Sequence, residues 1–513
     1  MDVSRSRNVA KNVTVGVIAQ IITLVLSVIS RRIFVSFLSA DYLGINGLYG
    51  NILSVLALAE LGVGSVTQFF LYKPVSEKNY NEILHLMRYF RKLYMIIAAV
   101  ILTLGLLLIP FLNVIVNSDL QQSELILYYV LFLLNSVVSY FSADKIALLA
   151  ANQDNRLQKY VAMGSAIVFQ ILYIIVLMLW HNYTIYVLVM ILCTLSNVLV
   201  INFLCYKRYP YLRNRVVPSE GSVDKKRIIT DVKSTFLYKI GATIVNNTTN
   251  IIISVMISTA MVGFYSNYYM IVVAIQGFIA IVSKAMVSGI GNLSVSQNTK
   301  HMQKVFNLML LVYNFIAAFG GISLYLLFND FIPIWLGDEF LLDQSVVFAI
   351  AFSFYLTNAI SPLWIFREAN GLFKKVRYLF LYTAAFTILF SVLLGHYFKL
   401  FGILLAPSLA RIVTQVWYEP RVVYKSLFGG TSIAYWLKQF RYLLCAAVSL
   451  FVCYYLQMIL PHTFVFIVIK AILFLAITGM LFLLGSLGTE EFSEFLFRIK
   501  AMIKKVFKRR AAR

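Results

Sequence analysis

SADYLGINGLY, residues 39–49, recurs in altered form 219 positions later as STAMVGFYSNY, residues 258–268. Ser39 lies over Ser258, Gly44 over Gly263 and Tyr49 over Tyr268. A second pair, AANQDNRLQKY at 150–160 and EANGLFKKVRY at 368–378, aligns Ala151, Asn152 and Tyr160 with Ala369, Asn370 and Tyr378 at a shift of 218. Tyr206-Lys207 returns as Tyr424-Lys425 at that same shift. Two apolar helices share letters by chance, but a near-constant shift at three separate places predicts an internal repeat.

The surroundings of the repeat are apolar throughout. Of 513 residues 61% are hydrophobic and only 13% charged, a composition that predicts a polytopic membrane protein. Taking about 20 to 30 residues per span predicts about fourteen helices. They fall near 11–37, 43–72, 90–116, 124–150, 158–180, 184–206, 233–257, 262–290, 304–328, 344–366, 376–396, 400–424, 440–459 and 463–485. The repeat shift equals six of these spans. Six is even, so both halves enter the membrane in the same orientation, as a parallel repeat about an axis along the membrane normal. The expected fold class is all-α: two six-helix lobes and two C-terminal helices. The boundaries are 1–208 for the N-terminal lobe, 209–232 for a basic cytoplasmic linker, 233–425 for the C-terminal lobe, 426–488 for the last two helices and 489–513 for a basic tail.

The net charge of +23 is explained by its location, without nucleic acid. Basic clusters occupy alternate connections, among them Arg88, Arg91 and Lys92; Lys207 to Lys233; Lys300 and Lys304; and the tail. The connections between them are short or acidic, such as Asp119 to Glu124 and Asp330 to Asp343. This is the positive-inside pattern, and it predicts cytoplasmic termini and no outward domain. The basic start MDVSRSRNVAK leads into a first span and not a signal peptide, since the run is long, carries Arg31 and Arg32 and lacks a small-residue cleavage site. The tail from Thr489 spaces Phe492, Phe495, Leu496, Ile499, Ile503 and Phe507 helically, with Arg498, Lys500, Lys504, Lys505 and Lys508 opposite. An interfacial helix on an anionic leaflet is expected there.

Little in the chain suits an enzyme. Cys193, Cys205, Cys445 and Cys453 all lie in apolar runs, the five histidines form no metal-spaced pair, and no Walker-type loop occurs. A membrane glycosyltransferase or polymerase would carry acidic or His-rich motifs on large loops, and the loops here are small. No catalytic residue, metal or cofactor is predicted.

Charges at membrane depth remain. Each costs about 2.5 to 3.5 kcal/mol to insert and usually faces a polar cavity or a partner. Arg411 lies about 11 residues into its span, ~16 Å at 1.5 Å per residue, close to the midplane. Glu60 sits in the inner half of span 43–72; it either packs against a basic residue or couples an ion. Asp144 and Lys145 are adjacent in span 124–150 and either neutralise one another or serve transport. Lys284 lies toward the inner end of span 262–290. Lys239 and the pair Arg367-Glu368 are expected to snorkel to the interface. The repeat also divides Arg31 from Arg32. At a shift of 219, Ser27, Ser30 and Arg31 fall over Asn246, Thr249 and Asn250 in the polar run NNTTN, whereas Arg32 falls over Ile251. Arg31 is therefore predicted to face a cavity, and Arg32 to anchor at headgroups or on a neighbouring helix.

RRIFVSFLSADYLGINGLYGNILSVLALAELGVGS, residues 31–65, with LYKPVSE at 71–77, resembles the Wzx-like flippases of O-antigen, capsule and exopolysaccharide repeat units. These belong to the superfamily of multidrug, oligosaccharidyl-lipid and polysaccharide exporters. The resemblance implies two lobes around a central cavity that opens alternately to the two sides of a bacterial plasma membrane. It implies a polyprenyl-pyrophosphate-linked oligosaccharide as cargo, membrane lipids as surroundings, and a polysaccharide polymerase and assembly proteins as protein partners. Arg31, Arg411, Lys284, Lys145, Asn246 and Asn250 are the expected cavity residues, since cations hold pyrophosphate through charge-assisted hydrogen bonds. Glu60 and Asp144 are the acids expected to couple an ion. Asn267, Tyr268 and Tyr269 either meet sugars or form an interface belt. The last two helices are expected to shelter the lipid tail. The alternatives are a membrane polymerase or ligase, and an ion-coupled multidrug exporter, whose cationic substrates would want a more acidic cavity.

Overall fold

Helices form where the apolar runs lie, and local chemistry sets their ends. In the computed structural model, which describes residues 3–60, 62–152, 154–213, 225–295, 299–376, 378–498 and 500, Asn79 caps the helix Tyr80–Leu108. Its Oδ1 accepts from the Glu82 N–H at 3.2 Å, as an N-cap does, and its Nδ2 donates to the Glu82 carboxylate at 3.2 Å. Asn182 caps Tyr183–Arg208 in the same way, accepting from Thr184 and Ile185 at 2.8 and 3.3 Å. No strand occurs among the described residues.

Eleven segments are long and apolar enough to cross a membrane among the described residues, so the expected count of fourteen is not reproduced by length and composition. Three regions make the difference. Span 43–72 is broken: Ala40–Leu56 runs into a 3-10 turn at Ala57–Glu60, and Val63–Ser76 begins after Gly62, whose φ of 98° suits glycine alone. Span 233–257 is one helix, Lys225–Met256, but NNTTN and its basic start lower its hydropathy. The two spans 376–396 and 400–424 fall in one apolar segment, Leu379–Phe428, interrupted by a non-helical Lys399 at φ 48°.

The chain forms two compact units, Met1–Asn267 and Tyr268–Arg513. In the first, Tyr80–Leu108 and Gln122–Ser139 pack on the broken segment, Tyr183–Arg208 packs on Gln122–Ser139, and Asn155–Trp180 lies between Tyr183–Arg208 and Val3–Phe37. Its core is aromatic. Tyr49, Phe90, Tyr94 and Tyr129 are fully buried, and the hydroxyls of Tyr49 and Tyr129 donate to the carbonyls of Leu125 and Gly105 at 2.9 and 3.0 Å. Lys225–Met256 packs along Ala40–Leu56. The start of Thr259–Val295 crosses that same helix at glycine: a Cβ on Gly44 would stand 1.9 Å from the Thr259 carbonyl oxygen, and one on Gly263 would stand 2.3 Å from the Ala40 carbonyl oxygen.

In the second unit Thr299–Trp335 and Gln344–Ala359 are the most enclosed helices. The last two, Ile433–Ile459 and Phe464–Gly485, pack on Thr299–Trp335 and on each other. A buried ion pair fastens them there, Lys470 Nζ to Asp330 at 2.8 Å, with His462 on the other Asp330 oxygen at 2.7 Å. Arg367 does not snorkel as expected. It is buried and pairs with buried Glu419, a carboxylate 52 positions away that makes burial cheaper than a reach to the interface. In the tail, residues 490–498 are helical, and the Thr489 hydroxyl accepts from the Phe492 N–H at 3.4 Å, as an N-cap does. Glu491 is buried between Arg441 and Lys438, bonded to Lys438 at 3.1 Å. Burial alone would raise its carboxyl, but the hydrogen bond from Arg441 and the charge of Lys438 hold it below the usual carboxylate value. Ile499, Ile503, Phe507, Lys504, Lys505 and Lys508 of the predicted interfacial helix, and 214–224 of the predicted linker, lie outside the described residues.

Candidate functional site

The fully buried cations and the half-buried Arg31 and Arg411 differ in kind. Lys145, Arg367 and Lys470 each have a carboxylate within ion-pair reach. Arg31 and Arg411 do not: among the described residues their hydrogen-bond partners are neutral.

Arg31 is carried by Val3–Phe37 in the first unit. Its Nη1 donates to Ser266 Oγ at 3.0 Å and to Asn267 Oδ1 at 3.4 Å. The Tyr186 ring lies close enough for its hydroxyl to act on the guanidinium, and Asn46 hydrogen-bonds that hydroxyl. Asn250, the repeat counterpart of Arg31, is buried on Lys225–Met256, its Nδ2 3.5 Å from where a Cβ on Gly47 would stand. Asn250 Oδ1 and Asn267 Nδ2 make no hydrogen bond with the described residues. Buried amides are usually satisfied, so these two atoms leave unused hydrogen-bonding capacity inside the unit near Arg31. Asn246 is exposed, one turn earlier on the same helix.

Glu60 lies where two broken helices meet. It ends the 3-10 turn of the first, and Tyr140, which hydrogen-bonds its carboxylate, begins the 3-10 turn Tyr140–Ser142 between Gln122–Ser139 and Ala143–Ala151. Lys239 acts on the same carboxylate and donates to Ser65 Oγ at 3.4 Å. Irregular backbone at membrane depth is tolerated only where protein or a water-filled cavity surrounds it, and here it holds an acid. Asp144 and Lys145 follow on Ala143–Ala151, with Tyr94 within electrostatic reach of both Glu60 and Asp144. Asp144 and Lys145 are both buried, with Lys145 Nζ on both Asp144 oxygens at 3.1 and 2.9 Å. They line a pocket of about 580 Å³ whose wall also includes Arg88, Arg91 and Arg213. No partner of Arg31 lines it.

In the second unit Arg411 is carried by Leu379–Val413 and its Nη1 donates to Thr357 Oγ1. Tyr269 lies within electrostatic reach of it. Lys284 is exposed. Tyr268 corrects an expectation: it is fully buried, donates to Asn329 Oδ1 at 2.9 Å and accepts from the Leu342 N–H at 2.9 Å, so it holds the fold and meets no sugar. Its neighbour Tyr269 is 42% exposed. An apolar groove of about 240 Å³ runs between Thr299–Trp335, Gln344–Ala359 and Ile433–Ile459, floored by Gly321, Ala351 and Ala446 and walled by Phe348, Tyr355 and Leu450. Ser266 and Thr357, the partners of the two arginines, are absent from the sequence-based expectations; a lone hydroxyl in an apolar run gives no signal until a guanidinium is placed beside it.

The profile of the family described as polysaccharide biosynthesis protein matches residues 9–288, more than half of the chain, Arg31, Glu60 and Lys145 included. The chain belongs to the polysaccharide biosynthesis protein family. No curated protein sequence matches it. Among solved structures, this member of the polysaccharide biosynthesis family is similar to the lipid II flippase MurJ in an inward closed conformation, with a TM-score of 0.70, 14% identity, and 91% and 98% of the two chains covered. An inward-facing multidrug resistance MATE family transporter of the MOP superfamily gives 0.59 at 16% identity, with 79% and 96% covered. A point mutant of the Vibrio cholerae MATE transporter VcmN gives 0.57 at 11% identity, with 84% and 99% covered. The polysaccharide biosynthesis protein thus has the helical fold of these transporters, as the resemblance implied, and is a multi-pass membrane protein. Family and fold together support a membrane transporter or flippase.

Proposed function

We propose that the chain is a flippase that moves a polyprenyl-pyrophosphate-linked oligosaccharide from the cytoplasmic to the outer leaflet of a bacterial plasma membrane, by alternating access and with no covalent chemistry. The observation that carries the reading is the neutrality of the partners of Arg31 and Arg411. A guanidinium at membrane depth costs several kcal/mol unless an anion is near. The fully buried cations Lys145, Arg367 and Lys470 each have a carboxylate in the protein; the half-buried Arg31 and Arg411 have hydroxyls and an amide, which leave their charge for a cargo. Pyrophosphate suits a guanidinium, whose planar fork donates two parallel hydrogen bonds. In the first unit the exposed Asn246 and the buried Asn250 are proposed to add to the polar groups beside Arg31, and in the second the exposed Lys284 is proposed to add a cation to that of Arg411.

The apolar groove supports the same reading from the other end of the cargo, since it offers an aliphatic chain an almost wholly apolar contact. Glu60 is the proposed coupling acid, because Asp144 is already held on both oxygens by Lys145. A drug exporter would present acids to cationic substrates, whereas the uncompensated charges here are positive. Binding tests the reading: the purified chain should hold a polyprenyl pyrophosphate at least tenfold tighter than the same polyprenol without phosphate. Arg31→Gln and Arg411→Gln should each remove most of that difference, and equal affinity for the two lipids would exclude the assigned role.

A further inference from the structure

The pocket around Lys145 lies in the first unit, away from the partners of Arg31, and its chemistry is distinct. Arg88 and Arg91 stand three apart on Tyr80–Leu108, which places them on one helix face. Lys145 comes from Ala143–Ala151, Tyr206 from the end of Tyr183–Arg208, and Arg213 from the turn Pro210–Arg213. Together they enclose about 580 Å³, within the range of small-ligand sites. Among the described residues three guanidinium groups and one ammonium line the space against a single carboxylate, Asp144. Both oxygens of that carboxylate are held by Lys145, whose ammonium also lies 5.7 Å from the centre of the Tyr206 ring. Asp144 is thus committed to Lys145.

Neither fold nor topology demands these charges. At the repeat shift of 218, Asp144 and Lys145 correspond to Pro362 and Leu363; at 218 or 219, Arg88 corresponds to Phe306 or Asn307, and Arg91 to Met309 or Leu310. The second half builds the same part of its repeat without a cation. A basic connection needed only for topology could also leave its arginines in water, whereas here they converge on a concavity. The position of the pocket points to a lipid. Its wall includes Phe203, 64% exposed on a spanning helix where acyl chains are the surrounding solvent, and its arginines belong to the connections that carry the basic clusters.

We propose that this pocket binds a phosphate-bearing anion, with the headgroup of an anionic phospholipid in the adjacent leaflet as its source. Arg88, Arg91 and Arg213 hold the phosphate oxygens. Lys145 is fixed beneath them by Asp144. The site does not depend on what the chain transports.

Native mass spectrometry of the full-length protein tests it in two arms, one with phosphatidylglycerol against phosphatidylcholine of the same acyl chains, the other with inorganic pyrophosphate. Replacing the three exposed arginines together (Arg88→Ala, Arg91→Ala, Arg213→Ala) is expected to weaken phosphatidylglycerol binding on the order of a hundredfold, from about 1 kcal/mol per basic residue, while phosphatidylcholine binding stays unchanged. Lys300→Ala with Lys304→Ala, a basic pair outside the pocket, should leave both unchanged. Arginine-dependent binding in the pyrophosphate arm alone would keep the site and assign it a soluble anion. Equal binding by wild type and triple variant in both arms, with equal melting temperatures, would overturn the proposal. Loss of pocket binding with transport intact, or the reverse, separates this site from the flippase reading.

Discussion

Gly44 and Gly263, equivalent residues of the two repeats, pack reciprocally. Gly44 abuts the carbonyl of Thr259, and Gly263 abuts the carbonyl of Ala40; residues 40 and 259 are themselves repeat partners, 219 positions apart. Residue i meets j′ while j meets i′, so the contact between the two aligned stretches is reciprocal. Small residues let membrane helices approach to backbone contact.

That reciprocity makes a prediction for both sites. Gly44→Ala and Gly263→Ala place a methyl group on backbone that cannot yield as a side-chain tip would, so each should destabilise the protein by about 1 to 3 kcal/mol. A Cβ on Gly50 of the same helix meets nothing within 4 Å, and Gly50→Ala should be neutral or stabilising by about 0.5 to 1 kcal/mol. Thermal unfolding of the purified protein in one detergent checks all three, and a tolerant Gly263 beside an intolerant Gly44 would break the symmetry.

The Arg367–Glu419 pair should show the asymmetry of buried ions. Arg367→Met leaves Glu419 buried and alone and should cost about 3 to 5 kcal/mol, whereas Arg367→Met with Glu419→Leu should recover most of that loss. A double-mutant cycle from denaturant unfolding reads the coupling.

Docking of the tail helix at 490–498 should depend on pH through Glu491. Its carboxyl is held below the ordinary value of 4.5, so the docked form binds fewer protons than the undocked form. The stabilisation is fully present above pH 4.5 and is lost as pH falls through the lowered value. Hydrogen exchange of the tail amides should be flat from pH 7 to about 5 after correction for intrinsic rates and should accelerate below that. Glu491→Gln should exchange fast at every pH.

The fold is legible in the chain because hydropathy and the repeat operate on whole helices. Gly44, Gly263 and Tyr49 stand out in an alignment of the chain with itself, and each proves to be a packing residue. The breaks around Glu60 and Tyr140 are not legible, since a continuous apolar run reads as one span with or without glycine and the turn is set by packing. Arg367 misleads for a related reason. Its partner Glu419 lies two helices on, and sequence shows a charge at a helix end without showing what is across from it. The arginines at 88, 91 and 213 read as topology signals, and only folding shows that they converge with Lys145. Arg31 and Arg411 stand out by depth, but that their partners are neutral is a fact of three dimensions.

The claim that these two arginines hold the anionic part of a cargo is tested most directly by translocation in proteoliposomes carrying a polyprenyl-pyrophosphate-linked oligosaccharide. Arg31→Gln and Arg411→Gln should each lower the initial rate at least tenfold, about 1.4 kcal/mol, with unchanged melting temperature and reconstitution. Wild-type rates in both variants would contradict the account.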